Sequence, residues 1–293
     1  MQREERLVRT ELRGDVMLVL MADSARRNAL SVALVSELIE VIRWSRGAGA
    51  RALVIASAEK AFCAGADIRD MLDSGWLDPR SGVDTGVAAD VESRAAADVS
   101  ATVTPPDLFE VIERDERPIL AAVDGMALGG GVELCLACDL LIAGDSASFM
   151  FPELALGVLP NTALARLPNL IGARAAADLI LTRRRIDAAE AFRLKLVNEV
   201  VAGPGAVERA LAVAADIVAR VPPTALAAAK RILHAGPDWG AIRSMLGEMD
   251  PDEWKEGVTA FLDKRSPDYQ RFWEGRIDAG AQADKVRASA SHQ

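Results

Sequence analysis

Ile119-Leu-Ala-Ala-Val-Asp-Gly-Met-Ala-Leu-Gly-Gly-Gly-Val-Glu133 begins as an unbroken apolar run and ends in a glycine-rich turn. The run shows no polar alternation, which is the pattern of a strand covered on both faces. The turn carries side chains too small to keep a ligand from the backbone, so its N–H groups can be aimed at one. Val132–Asp139 (VELCLACD) can then open a helix, whose N-terminus adds partial positive charge to those N–H groups. Neither Gly-Lys-Ser/Thr nor Gly-x-Gly-x-x-Gly occurs here, so the turn is neither a phosphate loop nor a dinucleotide fingerprint. Taken alone it also reads as a tight turn that needs glycine for steric reasons. Its chemical reading is a backbone cradle for an anion or an oxyanion.

Outward from this stretch, Val16–Met21, Ala52–Ala56 and Leu140–Ala143 are further short apolar runs and read as buried strands. Ser31–Ser45 places Val35, Leu38, Ile39 and Ile42 on one helical face, with Ser31 as cap and Gly47 and Gly49 at its end. Ala173–Leu181, Ala188–Leu194, Val207–Arg220 and Thr224–Leu233 are helical in pattern. Strands concentrate before residue 150 and helices follow, so an α/β core with a helical C-terminal part is expected. Asp73–Pro106 is rich in small and polar residues and long for a connection, as lids, binding loops and disordered segments are.

The 293 residues carry 34 basic and 43 acidic side chains, a net charge of −9, and are 51% apolar. That is enough for a sizeable core, and it lacks the basic footprint of a nucleic-acid binder. No stretch reaches the ~18–20 apolar residues of a membrane helix. The opening residues are charged, without an apolar leader-like run, and three cysteines make no disulfide framework. A cytoplasmic protein with no membrane or nucleic-acid partner is expected. Of two histidines, His292 is penultimate and His234 reads as a helix-end or surface residue. No multi-histidine metal site can be built, and carboxylates and backbone groups remain as the agents of any catalysis.

A second small-residue turn, Lys60-Ala-Phe-Cys-Ala-Gly-Ala-Asp-Ile68, follows the Ala52–Ala56 run. Two acids stand near the cradles. Glu133 falls in the first turn of the helix after Gly131, and Glu153 lies in Phe151-Pro-Glu-Leu154. Apolar and small neighbours would desolvate both and fit them for proton transfer near neutral pH. Taken alone, each reads first as a helix cap or an exposed carboxylate. Cys63, Cys135 and Cys138 read as core cysteines.

In chain order, Asn28-Ala-Leu30, Ala61-Phe-Cys-Ala-Gly-Ala-Asp-Ile68, Asp124–Leu134 (DGMALGGGVEL), Cys138-Asp139, Phe151-Pro-Glu153 and Leu196-Val-Asn-Glu-Val200 resemble the enoyl-CoA hydratase/isomerase (crotonase) family. The resemblance implies an α/β fold: a crotonase-like spiral of ββα turns over 1–203, a C-terminal helical trimerisation region over 204–275, and a disordered tail over 276–293. Residues 73–106 become a mobile insertion near the acyl pocket. It also implies an acyl-CoA thioester substrate, self-assembly as a homotrimer or dimer of trimers, and no cofactor beyond the coenzyme A carried by the substrate. Ala66 and Gly130 match the two backbone N–H groups of the oxyanion hole. Glu133 and Glu153 match the acids that orient a water, with Glu153 the principal proton donor and acceptor. Asn28, Ala29, Lys60, Ala64, Asp67 and Ile68 lie in segments matching the pantetheine and adenine path. Phe261 and Lys264 match a C-terminal pair that reaches the CoA nucleotide, often in a neighbouring subunit.

The implied activity is hydration of a 2-enoyl-CoA to a 3-hydroxyacyl-CoA. Double-bond isomerisation, which can run on the later glutamate alone, or another crotonase-type reaction is the alternative, and a non-catalytic acyl-CoA-binding paralogue is the third. Two departures bear on this. Many hydratases carry Pro-Gly-Ala-Gly-Gly-Thr after the second glutamate, where this chain reads Leu159-Pro-Asn-Thr-Ala-Leu-Ala-Arg-Leu167. Larger residues there imply a differently shaped wall beside Glu153. Arg183 also stands where a glycine is expected.

Overall fold

The computed structural model describes residues 6–73, 103–235 and 250–273. Nearly all of the 73–106 insertion and the whole 276–293 tail lie outside these residues. The chain opens with β1 (Val8–Arg13) and β2 (Val16–Met21), and α1 (Val32–Gly47) returns it to β3 (Ala52–Ser57). Then come β4 (Ala61–Cys63), α2 (Ile68–Asp73), α3 (Pro105–Arg114), β5 (Ile119–Val123), β6 (Met126–Leu128) and α4 (Gly130–Ala137). They are followed by β7 (Leu140–Gly144), β8 (Ser148–Met150), a 3-10 turn at Glu153–Leu156 and α5 (Asn161–Ile171). The last described elements are α6 (Ala173–Thr182), β9 (Ile186–Asp187), α7 (Ala188–Arg193), β10 (Glu199–Val201), α8 (Ala206–Arg220), α9 (Pro223–Ala235) and α10 (Pro251–Leu262).

A unit of two strands and a helix recurs, and the strands sort by their place in it. In the pairs β3–β4, β5–β6 and β7–β8 the first strand joins a six-stranded sheet, β1-β2-β3-β5-β7-β10, and the second a four-stranded sheet, β4-β6-β8-β9, while β1 and β2 both lie in the larger sheet. β3, β5 and β7 run parallel, as do β4, β6 and β8, so each unit advances the chain by one strand in both sheets. This is the expected spiral of ββα turns.

The apolar runs become strands because the larger sheet is buried on both faces. Met17, Val19, Leu53, Ile55, Ile119 and Ala121 point into one core cluster. Their alternates Val16, Leu18, Ala52, Val54, Leu120 and Ala122 point into another, under Ala210, Ala214 and Val218 of α8. Each fully buried Leu, Ile or Val contributes roughly 1.5–3 kcal/mol. α1 starts as its sequence implies, with the Ser31 side chain accepting from Leu34 N–H at 3.2 Å. It ends at Gly47, as its sequence implies, with Ala48 as C-cap and Gly49 just beyond in the left-handed region at φ 88°. The strands do not all precede residue 150, since β9 and β10 complete the two sheets. At two and three residues they are too short to show a period.

A buried ion pair locks α1 and α3 to the entry of β5. Arg117 meets Asp115 at 2.7 Å and donates to Ser45 Oγ, Ala50 O and Ile42 O at 3.0, 3.2 and 2.7 Å. Burial pushes the Asp115 carboxyl up, but the Arg117 guanidinium outweighs it and holds the group at about 2. Asp115→Asn is expected to cost about 3–5 kcal/mol, because it leaves Arg117 charged and buried. Asp115 is depressed in the folded state, so its contribution is present above its unfolded value and is lost as pH falls toward about 2. Urea unfolding of both proteins from pH 7 to pH 2 should show a constant gap above about pH 4 that closes below it. A second stability prediction concerns Arg183, which caps α6 in the left-handed region at φ 56°. Arg183→Gly is expected to stabilise by up to ~1–2 kcal/mol by removing the Cβ clash, read as a higher Tm.

Candidate active site

The two small-residue turns meet. Both follow second-sheet strands, β4 and β6, which pair in parallel and deliver their C-terminal ends side by side. A Cβ on Gly131 would lie 2.7 Å from Cys63 O and 3.0 Å from its Sγ. A Cβ on Gly130 would lie 3.2 Å from Ala66 N. The glycines are therefore required by close approach of the first turn. Leu30 N–H donates to Gly65 O at 2.7 Å. Because a trans peptide sets its N–H opposite its C=O, this bond fixes the direction of the Ala66 N–H. Gly130 is the first residue of α4, where N–H groups have no partner within the helix. Among the described residues neither N–H is taken up by a carbonyl. The Ala66 N–H and the Gly130 N–H at the helix N-terminus thus lie close together at one point of the fold.

The acids flank this point. Gly129 has φ +49°, and the Glu153 carboxylate lies where its Cβ would be. Glu153 Oε2 is buried without a hydrogen-bond partner. Burial pushes the Glu153 carboxyl up to about 7, its own backbone N–H opposes this, and the charge of Glu133 adds to it. Glu133 sits on the first turn of α4. Burial raises its carboxyl too, against the backbone N–H groups of Ala163 and Thr162. The Ala163 bond is 3.1 Å, and it comes from the first turn of α5. Near neutral pH, Glu153 is thus the acid able both to hold a proton and to release it.

The other sequence candidates divide. Asn28 is fully buried, and its Nδ2 donates to Ser57 Oγ at 2.8 Å and to Phe62 O at 3.0 Å. Its Oδ1 accepts from Asp23 N–H at 2.8 Å. The side chain expected along a ligand path is instead consumed in fastening the first turn to the end of β3. Ala29 and Ala64 are half-buried beside it, with Ala64 N–H bonded to Arg27 O at 3.1 Å. Asp67 accepts from Arg69 N–H at the start of α2 and pairs with Arg26 at 3.2 Å. Lys60 and Ile68 are exposed on either side of the turn. Phe261 and Lys264 stand apart at the exposed end of α10, and no described hydrogen bond or ion pair joins them to the turns. Ala163 and Thr162 were visible only as part of a departure. The Pro160-Asn-Thr sequence before a helical run is a start signal that would have placed a helix N-terminus there. Cys63, Cys135 and Cys138 are free, buried core thiols.

Residues 11–272 match the family model described as Enoyl-CoA hydratase/isomerase. The chain is 34% identical to a probable enoyl-CoA hydratase of Rhizobium meliloti, over 89% of this chain and 96% of that one. It is 31% identical to 2,3-dehydroadipyl-CoA hydratase of Escherichia coli, over 87% and 95%. The crystal structure of an enoyl-CoA hydratase from Bacillus anthracis superposes with a TM-score of 0.71 at 31% identity, covering 90% of this chain and 98% of that one.

The contact between Gly129 and Glu153 gives a direct test. Gly129→Ala adds a methyl where the carboxylate lies, so Glu153 is expected to move toward water. Its titration should fall from about 7 toward the ordinary carboxylate range. A 13C titration of glutamate-labelled protein checks this, with Glu153→Gln identifying the signal.

Proposed function

The chain belongs to the enoyl-CoA hydratase/isomerase family, and on that premise we propose that it adds water across the C2=C3 double bond of a 2-enoyl-CoA thioester. The thioester oxygen sits between the Ala66 and Gly130 N–H groups, where charge builds as the double bond is attacked. Preorganised backbone donors are suited to this, and losing one from such a site typically costs ~3–4 kcal/mol of transition-state stabilisation. Glu133 holds the water. The water oxygen forms the new bond at C3, and the π electrons move toward the thioester oxygen. C2 then takes a proton from Glu153, and the proton left by the water stays with the carboxylate pair, which is thereby restored. Delivery of both groups from one side gives syn addition. The chemistry asks for no metal and no redox group, and coenzyme A enters only as part of the substrate.

The observation that carries this reading is geometric: Glu153 lies over Gly129 with Oε2 buried and unpartnered, and Glu133 is held by the Ala163 N–H, where burial raises both carboxyls. A specific feature favours a second reading. Glu133 is engaged by Ala163 N–H, whereas Glu153 Oε2 has no partner. A single free acid is enough to shuttle a proton along an acyl chain, as in conversion of a 3-enoyl-CoA to a 2-enoyl-CoA.

Self-association belongs to the same reading. Leu233, Phe261 and Leu262 are 82%, 82% and 71% exposed on the C-terminal helices. A neighbouring copy covering them would form the trimer or hexamer, and sedimentation velocity measures it.

The first assay is loss of the enoyl-thioester ultraviolet absorbance with short, medium and aromatic 2-enoyl-CoAs, with 3-enoyl-CoA in parallel. Hydration is expected, with incorporation of labelled water at C3. Absorbance gained from 3-enoyl-CoA, with no loss from any 2-enoyl-CoA, would establish isomerisation instead. Glu153→Gln is expected to abolish turnover while leaving acyl-CoA binding within about two-fold. It should also be at least as stable as the parent above pH 7. A carboxyl raised to about 7 on folding loses stability as pH rises from its unfolded value through 7, and glutamine removes that loss.

A further inference from the structure

Arg166 lies on α5, one turn after Ala163, and its guanidinium reaches three other helices. It donates to Leu136 O of α4 at 3.4 Å and pairs with Glu113 of α3 at 2.5 Å. It also meets Nδ1 of His234 on α9 at 3.3 and 3.4 Å. A guanidinium has only donors, so Nδ1 is the acceptor and the imidazole proton sits on Nε2. Nε2 faces Asp139 Oδ1 at 3.1 Å. Asp139 also takes Lys230 Nζ at 2.8 Å and Ile119 N–H at 2.7 Å. His234 is therefore no simple surface residue. It joins Arg166 to a buried Lys230–Asp139 pair at the foot of β5.

α5 buries few of its own side chains. Only Ala163 and Leu167 are buried along it, and Pro168 inside it lacks an N–H to donate. Yet its first turn supplies the N–H that meets Glu133. Arg166 touches both the helix that carries Glu133 and the helix that grips it. We propose that Arg166 is a positioning residue, which fixes α5 against α4 so that the Ala163 N–H and the Glu133 carboxylate stay in register for the reaction. The charged and titratable groups facing this assembly include Glu153 across from Glu133, and Glu113, His234, Asp139, Lys230 and Cys138 around Arg166.

The proposal rests on the hydratase reading for its kinetic consequence but not for its structural one. In Arg166→Ala, Glu133 loses a donor that stabilises its charged form, so its titration moves to higher pH. Selective 13C labelling of glutamate reads this without any substrate, and Glu133→Gln identifies the signal. kcat for enoyl-CoA is expected to fall by about 10- to 100-fold, as for misplaced catalytic groups, with KM changed by no more than about two-fold. In a Glu133→Gln background the same substitution should cause little further loss. Arg166→Lys keeps the charge but cannot bridge three helices, so it should show an intermediate shift and serves if the alanine variant does not fold. An unmoved Glu133 titration in a folded variant, or an equal loss of kcat with and without Glu133, would overturn the proposal. If the parent hydrates nothing, the hydratase reading fails by itself and the Glu133 titration still decides the role of Arg166.

Discussion

Only hydrogen fits on the Cα of residue 131, because a Cβ there would lie 2.7 Å from the Cys63 carbonyl oxygen. That contact between two chain segments far apart in sequence is the constraint on which the rest of the structure depends. It requires β4 and β6 to lie side by side. It requires the ββα unit to repeat, so that each second strand falls next to the one before. It brings the Ala66 N–H close to the N-terminus of α4. The large doubly covered sheet gives this approach its rigidity, since apolar packing on both faces resists any shift of the strand ends.

The same approach works against stability. Bringing Glu153 over Gly129 buries a carboxylate oxygen without a partner. A buried, unpaired acid is unfavourable when charged, and this is also what brings its proton affinity into the range where it can give and take a proton. Arg117–Asp115 and Lys230–Asp139, by contrast, are ion pairs at 2.7 and 2.8 Å. The contrast is between carboxylates each held by a cation and one, Glu153, whose Oε2 has no hydrogen-bond partner.

Local patterns explain which parts were legible. β2, β3, β5 and β7 are continuous apolar runs, and α1 carries a clear period of apolar positions with Ser31 before it. The second sheet was not legible, since its strands have two or three residues and no period to read. α5 was obscured by Pro168 within it and by exposed Leu164 and Leu170. α3 begins where a polar, small-residue stretch ends, with Thr104 and Asp107 forming a capping box.

At the site, the sequence by itself determined the chemistry of each part. Glycine marks where backbone must approach backbone, a strand-to-helix turn places free N–H groups, and an acid among apolar neighbours will be desolvated. Tertiary structure alone decided the partners. Asn28 became a fastener because Ser57, Phe62 and Asp23 converge on it. Glu133 became the gripped acid and Glu153 the free one because α5 folds back over the first and not the second. His234, at the helix end its sequence implies, is tied down because Arg166 and Asp139 close on its two nitrogens. These assignments come from contacts between residues distant in the chain. Spacing along the sequence fixes neighbours within an element, whereas the packing of elements fixes which charges meet.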